Sequence, residues 1–134
     1  MAPLLSDGTP FPTTFWLTCP RLVEAVHVLE SIGEHRMWAA RAAADPDLAA
    51  RLRAADWAYR ACRAAEGGGD DPCTAVGVAG QADPLAVKCL HARVAAALAG
   101  IADPVGEGVL KQLADRNALP VCDPAVCGPA VTSS

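Results

Sequence analysis

Six cysteines carry most of the reactive chemistry in this 134-residue chain. Two of them hold equivalent positions: Cys19 directly precedes a helix start signalled by Pro20, and Cys89 lies early in the segment LAVKCLHARVAAALAG at 85–100. The N-terminus of a helix favours a thiolate, because the helix dipole and the unpaired amides stabilise negative charge. Since the thiolate is the form that binds metal, both positions suit metal ligands.

Two further thiols lie in the C-terminal segment. Cys122 and Cys127 flank Pro124, and a C-x4-C loop of this kind can bring two sulfurs to one ion. Structural zinc sites more often use C-x2-C pairs, which the chain lacks. Four thiolates drawn from distant segments are typical of iron–sulfur clusters. The sequence therefore predicts Cys19, Cys89, Cys122 and Cys127 as metal ligands, with a 4Fe–4S cluster slightly preferred over zinc.

Other polar groups lie near Cys89 in the sequence. His91 follows it by two residues, and positions i and i+2 of a regular helix point about 200° apart. We therefore expect His91 to be a core group, or to support a ligand from outside the coordination sphere. Lys88 is a solvated cation by default. If the GVAG segment forms a pocket, the amides of Gly77 and Gly80 would bind an anion together with Lys88.

Three interpretations of the cysteines stay open at this point. Beside a metal centre, Cys89 could act as the nucleophile of an enzyme that uses a histidine base. In the third interpretation, Cys19 and Cys89 are inert buried caps, and the protein is a metal-free helical interaction module. Cys62 lies in a helix among Ala and Arg, and Cys73 lies in the glycine-rich loop; both are interpreted as incidental, although Cys73 could serve as a replacement ligand.

Composition favours an all-α protein that forms one small domain. Hydrophobic residues make up 52% of the chain and aromatic residues 4%, and alanine is abundant, so we expect closely packed helices. The net charge of −4 and the absence of a basic run do not indicate a nucleic-acid partner. No apolar segment is long enough to span a membrane, and the N-terminal residues lack a positively charged leader, so we expect a cytoplasmic protein. A protein partner stays open.

Four or five short helices follow from the start and stop signals in the sequence. Recurring Asp-Pro pairs and the prolines and glycines at segment ends give their limits. The predicted helices are 20–32, 34–44, 46–65, 84–100 and 104–117. Residues 1–134 form a single domain in this prediction. An extended arm at 1–14 leads into an ordered N-terminal strap. The other segments outside the helices are a glycine-rich loop at 66–83 and an irregular cysteine-containing tail at 118–134.

Several of these segments together resemble a known family. FPTTFWLTCPRL, GVAG, VKCLHA and DPVGE, in this order and spacing, resemble the domain of unknown function 501 family of small bacterial proteins, common in actinobacteria, over about residues 10–110. The resemblance implies no activity, but it favours a site over a packing role, because thiols and polar groups beside helix starts are its signature. The characteristic positions match Cys19, Pro20, Gly80, Lys88, Cys89, His91, Pro104 and Gly106, with a C-terminal cysteine at Cys122 or Cys127.

Overall fold

Helices form most of the chain that the computed structural model describes, which is residues 15–66, 76–78, 81–117 and 131–133. Within these ranges the chain folds into five α-helices and one pair of short strands, which confirms the all-α prediction. The elements in chain order are β1 (Phe15–Leu17), α1 (Pro20–Ser31), α2 (Glu34–Ala44), α3 (Pro46–Glu66), α4 (Leu90–Leu98), α5 (Pro104–Asp115) and β2 (Val131–Ser133).

Local capping signals explain where most of the helices begin and end. Asp103 is the N-cap of α5, and its carboxylate accepts hydrogen bonds from the amides of Val105 and Gly106, both at 3.0 Å. Cys19 is the N-cap of α1, which begins at Pro20 as predicted. Gly33 follows α1 with a φ of 85°, a left-handed conformation that glycine adopts without steric cost.

The predicted start of α4 is wrong, because the helix begins at Leu90 and not at 84. The Asp83 carboxylate accepts a hydrogen bond from the Leu85 amide at 2.9 Å, and the Asp83 carbonyl accepts one from the Ala86 amide at 3.2 Å. These bonds close a turn. Cys89 then has extended backbone angles, with φ of −138° and ψ of 111°. Acceptors contributed by other parts of the chain therefore set the helix start, and the local Asp-Pro signal does not.

Helix α4 packs against α1, α5 and β1. Its Leu90 and Val94 are fully buried in the main core together with Val26 of α1 and Val109 of α5. The close approach of α5 to α4 requires Gly106, since a Cβ atom there would overlap the backbone carbonyl oxygen of Arg93.

A buried ion pair joins the same two helices. Arg93 and Asp103 are both fully buried, and Arg93 Nη1 donates to Asp103 Oδ2 at 3.1 Å. Arg93 Nη2 also donates to the Pro84 carbonyl at 3.1 Å, which ties the turn before α4 to the helix. No described helix is both long and apolar enough to cross a membrane.

The two short strands bring both ends of the described chain together over α4. Strands β1 and β2 pair antiparallel, with Phe15 opposite Ser133 and Leu17 opposite Val131. Phe15 contacts Tyr59 edge to face, with ring centroids 5.8 Å apart, and Leu17 packs against the main core. The described part of the strap, Phe15–Leu17, therefore forms a strand that packs on the helices. Residues 1–14 and the tail residues 118–130 lie outside the described residues.

The contact at Gly106 gives a direct test of this packing. We expect Gly106→Ala to lower the free energy of unfolding by about 1–3 kcal/mol, because overlap with the Arg93 carbonyl outweighs the better helix propensity of alanine. Urea denaturation measures the change. Lys111→Ala, at an exposed position of the same helix, is the control and should change stability by less than about 0.5 kcal/mol. Equal stability of both variants would contradict the packing described above.

Candidate functional site

A carboxylate from α1 caps the N-terminus of α4. Glu30 Oε1 accepts hydrogen bonds from the amides of Leu90, at 2.9 Å, and His91, at 3.3 Å. These amides belong to the first turn, where helix donors have no partner within the helix. A negative charge at this position also interacts favourably with the helix dipole. Glu30 therefore fixes α1 against the start of α4.

The His91 ring lies between the same carboxylate and a backbone carbonyl. Its Nδ1 is 2.7 Å from Glu30 Oε1, and its Nε2 is 3.0 Å from the Val23 carbonyl oxygen. A carbonyl oxygen accepts only, and an ionised carboxylate accepts only. The doubly protonated imidazolium satisfies both contacts, so His91 and Glu30 form an ion pair between α4 and α1.

The surroundings of His91 raise its pKa from 6.5 to about 9. The largest cause is the hydrogen bond with the Cys89 side chain, and the Val23 carbonyl and the Glu30 carboxylate raise the pKa further. Partial burial acts in the opposite direction, because it disfavours the charged form. The imidazolium is therefore the main form of His91 at neutral pH in the metal-free protein.

Cys89 completes a group of three side chains. Its Sγ accepts a hydrogen bond from the Ala92 amide at 3.5 Å, which makes it the side-chain cap of α4. The Cys89 sulfur, a His91 ring nitrogen and a Glu30 carboxylate oxygen all lie within 4.8 Å of one another. The expected 200° separation of Cys89 and His91 is wrong, because Cys89 precedes the helix in an extended conformation and the helical rotation does not apply.

A pocket of about 340 Å³ opens beside these side chains. Cys89 and His91 form its polar end, and its other walls come from β1, α1 and α4. The described lining residues are Phe15, Trp16, Leu17, Val23, Cys89, His91 and Ala92. Both Cys89 and His91 are only partly buried, so a molecule in the pocket would contact the sulfur and the imidazole ring.

Of the four predicted ligands, only Cys89 belongs to the group that the described residues form. Cys19 is buried at the start of α1 and is not a member of the group that Cys89 forms with Glu30 and His91. Cys122 and Cys127 lie outside the described residues, as does Cys73. The predicted site of four cysteines therefore stays a prediction.

In the predicted anion site, the Gly77 amide, which the structure describes, is engaged within the protein. The Gly77 amide donates to the Gln81 carbonyl at 2.8 Å, and the Val78 amide donates to Asp56 Oδ1 at 3.3 Å. The Asp56 carboxylate is also close enough to Gly77 that a Cβ atom would overlap it, and it would repel an anion. Lys88 is exposed, and Gly80 lies outside the described residues.

Sequence reasoning assigned no role to Glu30. The residue follows the buried Val26 by four positions, so it continues the buried face of α1. A carboxylate in such a row needs a partner, because burial of an unpaired charge is costly. That pattern signals a paired Glu30, but its partners on α4 lie 60 and 61 residues further along the chain.

Variants of Glu30 measure how much its charge and its acceptor oxygen contribute to the free energy of unfolding. We expect Glu30→Ala to lower the free energy of unfolding by about 1.5–3 kcal/mol, because the amides of α4 and the His91 ring lose a charged acceptor. Glu30→Gln keeps an oxygen acceptor and should cost about half as much. Glu24→Ala, an exposed glutamate of the same helix, is the control. A loss no larger than that of Glu24→Ala in urea denaturation would refute the capping role.

The pKa of His91 also gives a pH dependence of stability. Because the folded-state pKa of about 9 lies above the ordinary 6.5, the stabilisation is complete below about pH 6.5 and is lost as the pH rises through about 9. We expect the free energy of unfolding to decrease over this interval in the presence of a chelator. His91→Gln should remove the decrease, whereas His27→Gln, at an exposed position on α1, should keep it. Parallel pH profiles for wild type and His91→Gln would contradict the ion pair.

Comparison with known proteins identifies a family but no activity. A family model described as "Protein of unknown function (DUF501)" matches residues 1–111, which confirms the resemblance drawn from the sequence. The matched segment contains Glu30, Cys89 and His91 and ends before Cys122. No curated protein and no solved structure matches the chain.

Proposed function

The chain belongs to the DUF501 family of proteins of unknown function, and from this premise we propose that it is a metal-binding protein. Its ion is zinc, held by Glu30, Cys89 and His91. The observation that carries the proposal is the clustering of one thiol, one imidazole and one carboxylate whose ligand atoms lie within 4.8 Å of one another. Sulfur, nitrogen and oxygen ligands of these three types are those that zinc accepts in proteins.

The contact between His91 and Val23 supports this assignment. A histidine that binds metal through one nitrogen usually donates the N–H of the other to a carbonyl or carboxylate, which fixes the ring orientation. His91 Nε2 already has the Val23 carbonyl as its partner at 3.0 Å. Nδ1, the nitrogen beside Glu30, is therefore the atom that would bind zinc, and the ion would replace the Nδ1 proton.

The geometry requires only a small adjustment. Bond lengths of 2.0–2.3 Å in a tetrahedral zinc site put neighbouring ligand atoms about 3.3–3.8 Å apart. The Nδ1–Oε1 distance of 2.7 Å would lengthen, and the widest separation, at most 4.8 Å, would shorten. The largest change in any of these distances is about 1 Å. Competition with the His91 proton lowers the affinity at pH 7 by roughly a hundredfold, since its pKa lies about two units higher.

The same group supports zinc more than the iron–sulfur cluster that the cysteine pattern slightly favoured. A 4Fe–4S cluster is held by cysteine thiolates, usually four, and the group at α4 contains one thiol among its three side chains. Three protein ligands also leave one tetrahedral position open, and Cys89 and His91 line the pocket beside it. Zinc with three ligands and an open position is typical of a site that binds an exchangeable ligand.

The nucleophile hypothesis for Cys89 has less support from the geometry. A histidine that acts as a general base needs a nitrogen lone pair within reach of the thiol proton. Both nitrogens of His91 face acceptors, Glu30 and the Val23 carbonyl, and both carry protons at neutral pH. In this arrangement neither nitrogen of His91 has a free lone pair that could take the thiol proton.

The proposal predicts a stoichiometric zinc site with identified ligands. We expect one zinc ion per chain, and we expect Cys89→Ser, His91→Gln and Glu30→Gln each to weaken zinc binding by more than about tenfold, because each removes a direct ligand. Titration against a chromophoric chelator measures the affinity, and metal analysis gives the stoichiometry. The matched controls Cys62→Ser, His27→Gln and Glu24→Gln, which lie outside the group, should bind zinc as the wild type does.

Two results would contradict the assignment. Equal zinc affinity of Cys89→Ser and Cys62→Ser would remove the thiol at α4 from the site. A brown, iron-containing protein after anaerobic purification, with the colour lost in Cys122→Ser and Cys127→Ser, would instead support the four-cysteine cluster. Circular dichroism of each variant distinguishes the loss of a ligand from the loss of the fold.

A further inference from the structure

We propose that the open coordination position of the zinc site takes a small apolar thiol as its ligand, bound in the pocket beneath β1. This inference rests on the proposed zinc site and specifies the class of molecule that the site accepts. The pocket volume of about 340 Å³ lies at the lower end of the range for small-molecule sites. It therefore fits a small molecule and is too small for a folded partner.

The walls of the pocket favour an apolar body. Phe15, Trp16 and Leu17 of β1 line one side, and Val23 and Ala92 contribute to the others. Apart from the Trp16 indole, the described lining residues have polar side-chain atoms only at Cys89 and His91. Contact with these walls removes apolar surface of a ligand from water and so stabilises binding.

The small number of hydrogen-bonding side chains among the described lining residues selects the head group of the ligand. A carboxylate has two charged oxygens, and an alcohol has a donor and an acceptor, all of which lose water on entry. The described walls offer them little in return. A thiolate has one strongly basic atom, and a single bond to zinc satisfies it. Zinc also has high affinity for sulfur ligands, which Cys89 already exemplifies in this site.

The position of α4 accommodates the added charge. The thiol loses its proton to solvent when it binds as the thiolate, so the site gains one negative charge beyond the carboxylate of Glu30 and the sulfur of Cys89. Both Leu90 and His91 belong to the first turn of α4, where the helix dipole favours negative charge. The N-terminus of the helix thus offsets part of the charge that the ligand brings.

Isothermal titration of the zinc-loaded full chain tests the inference with phenylmethanethiol as the probe. We expect it to bind at least about tenfold more tightly than its matched analogues benzyl alcohol and phenylacetate, and than hydrophilic 2-mercaptoethanol, because only the first combines a zinc-binding sulfur with an apolar body. Metal-free protein should lose this preference. Zinc measured in the ultrafiltrate checks that the probe does not extract the ion.

Two tryptophan variants distinguish the contribution of the pocket to thiol binding from the contribution of the zinc ion. Trp16→Ala should weaken binding of the apolar thiol by about tenfold and leave zinc affinity unchanged, since Trp16 lines the pocket and is not a metal ligand. Trp57→Ala is the control, because Trp57 is 76% exposed on α3 and is not among the pocket residues. It should change neither affinity.

The outcomes distinguish failure of this inference from failure of the zinc site. If the chain binds zinc but phenylmethanethiol binds no better than benzyl alcohol, or if it removes the zinc, the thiol ligand is refuted and the metal site stands. If the chain binds no zinc, both proposals fail. If the thiol binds equally well in Trp16→Ala and wild type, the pocket beneath β1 is not where it lies, and the inference is overturned.

Discussion

One carboxylate oxygen of α1 links that helix to the start of α4 at the candidate site. Glu30 Oε1 accepts from the Leu90 amide, the His91 amide and His91 Nδ1, at distances of 2.7–3.3 Å. Because it satisfies the first amides of α4, it determines that the helix begins at Leu90. Cys89 consequently stays outside the helix, and its extended backbone directs the sulfur towards His91. The start of the helix and the position of the thiol follow from this contact, which also contributes to the raised pKa of His91 after the larger effects of Cys89 and Val23.

Contacts outside the candidate site also hold the described helices together. Structural zinc sites contribute to the folding free energy of small domains, which unfold without metal. Here, the main core buries apolar side chains from α1, α2, α3, α4 and α5, and the ion pair of Arg93 with Asp103 joins α4 to the start of α5. In the metal-free protein a proton on His91 takes the place that zinc would occupy. An ion at this site would therefore exchange without unfolding the domain, which suits a functional role.

The sequence predicts those parts of the fold that depend on neighbours in the chain. Pro20, Gly33 and the pair Asp103–Pro104 mark helix ends through bonds within one turn, and the structure confirms each. The Asp83–Pro84 pair has the same local signal and forms only a turn. The two pairs differ in their tertiary contacts, because the acceptor that caps α4 is supplied by Glu30, 60 residues earlier.

The candidate site was predictable in part for the same reason. Cys89 stood out because thiols near a helix start are suited to bind metal, and the structure places it at the N-cap of α4. Its proximity to His91 does not follow from the helical rotation, because Cys89 precedes the helix in an extended conformation. The Val23 carbonyl carries no signal in the sequence at all, since every residue has one. The Val23 carbonyl becomes the partner of His91 Nε2 only through the packing of α1 against α4.

The candidate metal group and the pocket wall formed by β1 come from different elements of the fold. The side chains of the candidate metal group come from α1 and α4 and from the residue that caps α4. The opposite wall of the pocket comes from β1, which is held by its antiparallel pairing with β2 and by its packing on α4. Residues of β1 can therefore change the shape and polarity of the pocket while Glu30, Cys89 and His91 stay in place. Through its pairing with β1, strand β2 also helps to hold this wall of the pocket.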